Sequence, residues 1–143
     1  MSNASFPAIT AAAAAVLAVL QMLLMLYAAS GRGQFRVGLG DGGNPQMLKR
    51  VRIHGNLAEN APLFLILLAL VEVSGQWPRF VPWFAAAFVL ARLLHLIGLS
   101  LSAGASVPRF VGVLTTFICD VGLAVLLAIT LSRDTHWLAA FHL

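Results

Sequence analysis

The sequence predicts an all-α integral membrane protein, a four-transmembrane-helix bundle with up-down-up-down topology. Hydrophobic residues make up 60% of the 143 residues and charged residues only 10%, whereas a soluble domain carries about 25% charged residues. Four stretches are apolar enough to cross a bilayer, and each has the length of about 20 residues that a spanning helix needs. Because the connections between these stretches are short, consecutive helices should be antiparallel neighbours.

The first span is predicted over residues 7–29, as a retained helix rather than a cleaved signal peptide. No Lys or Arg precedes Arg32, and the apolar stretch begins at Phe6. It is therefore longer than the apolar region of a signal peptide, which has about 7–15 residues. A glycine-rich connection follows, and its Asn44-Pro45 pair is typical of a turn that starts a helix.

The other spans are predicted over residues 47–73, 80–103 and 108–131. The second span begins with a polar stretch and contains Pro62, which removes a helix hydrogen bond and should kink the helix. Since the four spans leave no room for a separate soluble module, residues 1–143 are predicted to form a single domain.

Positive charge is concentrated at one end of the predicted bundle. The net charge of +4 does not indicate nucleic-acid binding, because the basic residues flank spans instead of forming a soluble basic face. One end of the bundle carries only two basic residues, Arg79 and Arg133. The first and third connections and the adjoining helix ends, called the basic end below, carry six basic residues: Arg32, Arg36, Lys49, Arg50, Arg52 and Arg109. Cytoplasmic ends of spans are enriched in Lys and Arg, so we expect the basic end to face the cytoplasm.

A polar stripe marks one face of the second span. Arg52, Asn56 and Glu59 follow steps of four and three residues, which places them within an arc of roughly 60° on a helix. Ionisable groups inside a spanning segment are a functional-site hypothesis by default. A guanidinium, an amide and a carboxylate in a row could hold a zwitterionic ligand. His54 points about 160° away from this stripe, so a ligand role and a helix–helix hydrogen bond are equally open for it.

Two further ionisable residues lie deep in the third and fourth spans. Arg92 lies about 16 Å, and Asp120 about 18 Å, from the basic end of its helix at the usual rise per residue. A buried ion pair of Arg92 with Asp120 or Glu59 would only fix helix packing. His95, one turn after Arg92, makes the same face polar and leaves a role in a ligand site open.

These residues together resemble the MAPEG family (membrane-associated proteins in eicosanoid and glutathione metabolism), and its bacterial branch in particular. The resemblance extends over nearly the whole chain, and its most specific part is the pattern Arg52-x-x-x-Asn56-x-x-Glu59-x-x-Pro62. The supporting motifs are Phe35-Arg36-Val37, Gly40-Asp41-Gly42-Gly43, Ala91-Arg92-Leu93-Leu94-His95 with Gly98, and Arg109-Phe110-Val111-Gly112. The resemblance implies four-helix subunits that assemble as a homotrimer in a bacterial inner membrane.

The resemblance also implies a glutathione site between neighbouring subunits near the cytoplasmic face. On this basis the residues that bind glutathione as co-substrate are Arg32, Arg52, His54, Asn56, Glu59, Asn60, Arg92 and His95. Arginine binds carboxylates through paired hydrogen bonds, and Glu59 can bind the ammonium of glutathione. No metal is expected.

The chain departs from the family pattern in the groups that activate the thiol. Several family enzymes have tyrosines where this chain has Asn60, His95 and Leu99. Members that stabilise the thiolate with a loop arginine have it at the position of Ser106. Arg109 is the nearest substitute, and it is therefore the predicted catalytic residue.

The favoured hypothesis is a membrane-bound glutathione transferase or peroxidase that acts on hydrophobic electrophiles or lipid hydroperoxides from the bilayer. The alternative is a non-catalytic lipid- or glutathione-binding membrane scaffold of the same family, which the missing tyrosines favour. A proton-coupled drug transporter that uses Glu59 is disfavoured, because the clustered arginines would repel cations. The expected partners are glutathione, a hydrophobic or lipid co-substrate, membrane lipid and other copies of the chain, without nucleic acid.

Overall fold

A computed structural model of the protein describes residues 6–101 and 106–133. The described residues form four α-helices, each long and apolar enough to cross a membrane. Their bounds are α1 Ala8–Phe35, α2 Pro45–Val73, α3 Val81–Leu101 and α4 Val107–Arg133. The shortest helix, α3, has 21 residues and is therefore about 30 Å long, the thickness of the hydrocarbon core. The predicted all-helical four-helix membrane bundle is confirmed.

Contacts at both ends of α1 show that it runs antiparallel to α2. At one end Glu72 of α2 accepts hydrogen bonds from the backbone N–H groups of Ile9 and Thr10, at 2.9 and 2.8 Å. Pro7 has no side-chain cap of its own to offer α1, so Glu72 satisfies the free N–H groups that a helix start leaves. At the other end, the backbone of Gly31 lies against Met47 and Arg50 of α2.

The buried core takes apolar side chains from all four helices, most of them from α2 and α3. The rings of Phe64 and Phe88 are fully buried and stack with centroids 3.7 Å apart and an interplanar angle of 5°. Many large apolar side chains lie on the outer surface instead, among them Val16, Leu26 and Phe117. An apolar exterior is expected of a helix bundle in a bilayer, because its outer surface contacts lipid hydrocarbon in place of water.

The first helix is longer than predicted. It continues to Phe35 rather than ending at residue 29, and Arg36 stops it in the left-handed conformation with φ 56° and ψ 42°. The glycines of this stretch suggested a loop. At Gly31, however, a residue without a side chain allows α1 to pack closely against α2. A Cβ atom there would lie 2.7 Å from Cδ of Arg50, so glycine lets α1 run on against α2.

The bounds of the other helices differ from the predicted spans by one or two residues at most of their ends. The second helix starts at Pro45 because the Asn44 side chain caps it, accepting hydrogen bonds from the N–H groups of Gln46 and Met47. The last two residues of the third predicted span, 102–103, lie outside the described residues.

Glycines bring α3 and α4 into close contact. A Cβ atom at Gly112 of α4 would lie 2.6 Å from the carbonyl oxygen of Ala91 and 2.9 Å from Cβ of His95, both in α3. Gly98 of α3 similarly faces the backbone of Arg109, 2.6 Å from the position of a Cβ atom. The backbones of the two helices therefore approach at points where a Cβ atom would force its neighbours to shift.

We expect Gly112→Ala to lower the free energy of unfolding by about 1–3 kcal/mol, the usual cost of inserting a methyl group into a tight contact. The control is Gly33→Ala in α1, where a Cβ atom would meet nothing within 4 Å and alanine is the better helix former. Thermal unfolding in detergent should give a lower midpoint for Gly112→Ala and an equal or higher one for Gly33→Ala. A Gly112→Ala midpoint at the level of the control would contradict the close packing of α3 on α4.

Candidate functional site

The polar stripe of α2 lies on the surface of the bundle. The Arg52 guanidinium is 3.9 Å from the Glu59 carboxylate, and the side chains are 56% and 59% exposed. Asn56 lies between them along the helix and is half-buried. Asn60 donates a hydrogen bond from its side chain to the Asn56 carbonyl at 2.7 Å. The stripe therefore offers an exposed cation and an exposed anion on either side of an amide.

Arg52 and Arg109 line one cleft at the basic end. The cleft has a volume of about 200 Å³ and lies where the start of α2, the end of α3 and the start of α4 meet. Its lining residues are Pro45, Leu48, Lys49, Arg52, Leu99 and Arg109. Two features of the chain close this corner of the bundle. Lys49 donates a hydrogen bond to the carbonyl of Ser100, and Gly98 lets the backbone of Arg109 approach α3.

Arg92 lies in the interior rather than in the cleft, and only 4% of it is exposed. Its Nη1 donates to Oδ1 of Asn56 at 2.8 Å, and its Nη2 donates to the Gly112 carbonyl at 3.0 Å and to the Thr116 hydroxyl. The predicted pairing of Arg92 with Glu59 is therefore wrong, whereas Asp120 attracts the charge of Arg92 electrostatically but accepts no hydrogen bond from it. Within the described residues its hydrogen-bond acceptors are all neutral, and Glu59 pairs with Arg52 instead.

The remaining predicted binding residues are not assembled in one place by a single chain. His95 is buried beside Arg92, with 5% of its surface exposed. Arg32 donates to the carbonyls of Gly38 and Gly40, both at 3.3 Å, and is thus occupied by its own loop. His54 is half-buried and has no hydrogen-bond partner among the residues that the structure describes.

Comparison with known proteins decides the family. The sequence profile of the MAPEG family matches residues 10–129 of the chain. The protein belongs to the MAPEG family. The chain is also similar to the inner membrane protein YecN of Escherichia coli (strain K12) and of Escherichia coli O6:H1. Both matches are 34% identical over 67 residues, which cover 47% of this chain and 51% of YecN. The match thus spans about half the length of these curated relatives.

Arg50, two residues before Arg52 at the basic end, has a packing role that sequence reasoning missed. Its guanidinium donates to the Tyr27 carbonyl, the Ser30 hydroxyl and the Gln34 side-chain oxygen at 3.2, 3.2 and 2.9 Å. It also lies 4.4 Å from the centre of the Tyr27 ring. Helical geometry carries the signal, since residues two apart point about 200° away from each other. Arg50 therefore faces α1 where Arg52 faces outward.

The two neighbouring arginines should respond differently to replacement by alanine. Arg50→Ala removes three hydrogen bonds and a cation–π contact, so the free energy of unfolding should fall by about 1–2 kcal/mol. Arg52→Ala breaks one exposed ion pair, which is worth about 0–1 kcal/mol. Thermal unfolding of both variants in detergent measures the difference. If Arg52→Ala is the less stable variant, the assignment of Arg50 to packing and Arg52 to the site is incorrect.

Proposed function

We propose that the protein is a membrane-bound enzyme that uses glutathione to conjugate hydrophobic electrophiles or to reduce lipid hydroperoxides. The observation that carries this proposal is the cleft of about 200 Å³ lined by Arg52 and Arg109. One of these arginines belongs to the polar stripe of α2 and the other to the first turn of α4. Membership of the MAPEG family supports glutathione as the thiol.

The charges of the stripe complement those of glutathione, which carries two carboxylates and one ammonium. Arg52 can bind a carboxylate through two parallel hydrogen bonds, and Glu59 can bind the ammonium. The 3.9 Å pair between Arg52 and Glu59 is exposed, and exposed pairs are weak. A ligand that satisfies both groups therefore displaces little stabilising energy.

Arg109 is the residue that we propose to stabilise the thiolate. A neighbouring cation lowers the pKa of a thiol and so increases its reactive, ionised form. Arg109 is the third residue of α4, where the helix N-terminus also favours an anion. The leucines that line the same cleft, Leu48 and Leu99, offer an apolar wall to a hydrophobic co-substrate.

The two reactions share the thiolate and differ in what it attacks. In conjugation the thiol proton leaves to water, the sulfur forms a bond to an electrophilic carbon, and the leaving group departs with its electron pair. In peroxide reduction the thiolate attacks the terminal oxygen, and the alkoxide that leaves is protonated to the alcohol. A second glutathione then converts the sulfenic acid to glutathione disulfide and water.

We propose further that the protein works as a homotrimer with glutathione at the subunit interface. Glu59 lies at the middle of α2, 14 residues from Pro45 and 14 from Val73, and its side chain is 59% exposed in the single chain. A charge at this depth is costly against lipid, so a neighbouring copy that covers the stripe would stabilise it. Arg32, bound to its own loop, would then lie beside the site of a neighbouring copy.

The proposed location is a bacterial inner membrane with the basic end in the cytoplasm. The relative YecN is named an inner membrane protein. The basic end carries six Lys and Arg residues against two at the other end, and this excess is typical of cytoplasmic ends.

A second candidate function, a non-catalytic glutathione- or lipid-binding scaffold, is favoured by one observation. The only tyrosine of the chain is Tyr27, which packs against Arg50. Asn60, His95 and Leu99 therefore leave the site without a phenol that could donate a hydrogen bond to the thiolate. Turnover by a wild type that binds glutathione separates the two candidates.

The binding prediction concerns Arg52. Arg52→Ala should weaken glutathione binding by about 1.5–3 kcal/mol, the contribution of a hydrogen bond to a charged group. Arg36→Asn is the control. It removes a positive charge from the basic end at a residue outside the cleft lining, and asparagine tolerates the left-handed backbone of position 36. Calorimetry in detergent should show near wild-type affinity for Arg36→Asn. Equal affinities of the wild type and Arg52→Ala would refute the assignment.

The catalytic prediction concerns Arg109. Arg109→Ala should lower the thiolate absorbance of bound glutathione and reduce turnover about tenfold or more, the effect of one pKa unit on a mostly protonated thiol. Arg109→Lys, which keeps the cation, should retain part of both signals, and the exposed Arg79→Ala at the opposite end should retain them fully. Conjugation of chlorodinitrobenzene and reduction of cumene hydroperoxide are suitable assays. Glutathione binding by a wild type without turnover would favour the scaffold, and an Arg109→Ala variant with full turnover would exclude Arg109 as the thiol activator.

A further inference from the structure

We propose that Arg92 is a positioning residue, which fixes the side-chain amide of Asn56 so that the site presents an N–H donor and selects a ligand group that accepts hydrogen bonds. The inference rests on the proposed function, because it concerns the same glutathione site. It differs from the role that the family resemblance implies for Arg92, since here Arg92 acts through Asn56 and not on the ligand.

The guanidinium of Arg92 is held in place by hydrogen bonds to α4. Its Nη2 donates to the Gly112 carbonyl at 3.0 Å and to the Thr116 hydroxyl. Thr116 in turn donates to the same Gly112 carbonyl at 2.9 Å, so a lone pair of its oxygen is left for Arg92. Gly112 and Thr116 are both buried. This support leaves Nη1 directed at Asn56 of α2, 2.8 Å from Oδ1.

A guanidinium can only donate hydrogen bonds, whereas a carboxamide has one accepting and one donating end. The oxygen of Asn56 must therefore face Arg92, because the NH₂ group in that place would set donor against donor. The two ends of the amide diverge from one carbon atom, so the NH₂ group points away from Arg92. Asn56 is half-buried between Arg52 and Glu59, and its NH₂ end is the one left for a ligand.

The orientation of this amide decides which chemical group fits next to it. An outward NH₂ group donates to a carboxylate or a peptide carbonyl, both of which glutathione contains. An outward oxygen would instead place a second acceptor near the Glu59 carboxylate and favour a ligand rich in donors. The amide also carries the effect of the buried cation outward, since hydrogen-bonded groups in a chain polarise one another.

Arg92 also ties α2, α3 and α4 together, so a loss of binding on its replacement could come from misfolding alone. Asn56→Asp separates the two roles. Its carboxylate still accepts from Arg92 but offers no N–H to a ligand and adds a negative charge. We expect a thermal midpoint at or above that of the wild type, together with a loss of glutathione affinity of at least about tenfold, as for one hydrogen bond to a charged group.

A double-mutant cycle tests the coupling between the two residues. Arg92→Gln permits either amide orientation and should weaken glutathione binding about tenfold. In an Asn56→Ala background the same change should alter affinity by no more than about twofold, since no amide remains to be oriented. Arg92→Lys, a donor-only side chain, should restore most of the affinity. Calorimetry with glutathione in detergent, with the thermal midpoint of every variant, provides the readouts.

The outcomes distinguish this inference from the function on which it rests. A wild type that binds no glutathione overturns the proposed function, and this inference with it. A wild type that binds, with effects of Arg92→Gln and Asn56→Ala that simply add, overturns only the positioning role. Unchanged affinity in Asn56→Asp would also overturn it, because the outward N–H group would then contribute nothing to binding. Should Arg92→Gln fail to fold, Asn56→Asp decides alone, since it leaves Arg92 and its support on α4 intact.

Discussion

The guanidinium of Arg92 lies among α2, α3 and α4, and its charge is stabilised by neutral oxygens that the described parts of α2 and α4 supply. A charge in the middle of a bilayer is tolerated only where protein groups replace its hydration. This requirement fixes the rotation of α2, which must turn Asn56 inward, and the approach of α4, which must offer its backbone at Gly112. Glycine at position 112 permits that approach, since a Cβ atom would lie 2.6 Å from the Ala91 carbonyl oxygen of α3.

The basic residues of the chain divide into distinct roles once the helices are assembled. Arg50 holds α1 against α2 through three hydrogen bonds and the face of Tyr27. Arg52 and Arg109 meet at a cleft, and Arg92 is buried. At the opposite end the carboxylate of Glu72 in α2 caps the start of α1 and so holds these two helices together. Charge is thus used for packing at both ends, and at the basic end it also lines a cleft.

The rotation that buries Asn56 also determines what the outer surface of α2 presents. With Asn56 half-buried, Arg52 and Glu59 are turned outward as an exposed pair in a segment that crosses the membrane. Such a pair is unsuited to contact with lipid, and this mismatch is the observation behind the proposed neighbouring copy and the proposed polar ligand. Membership of the MAPEG family agrees with a chain whose four helices are long and apolar enough to cross a membrane.

The sequence by itself determined the four spans and the stripe of Arg52, Asn56 and Glu59, because hydropathy and the helical repeat are local properties of the chain. The tertiary structure alone decided the partners of Arg92, the packing role of Arg50 and the meeting of Arg52 with Arg109. It also decided that α1 continues to Phe35. These outcomes depend on how far each helix is rotated and how closely its neighbour approaches, which glycines at positions 31, 98 and 112 set through contacts between residues distant in sequence.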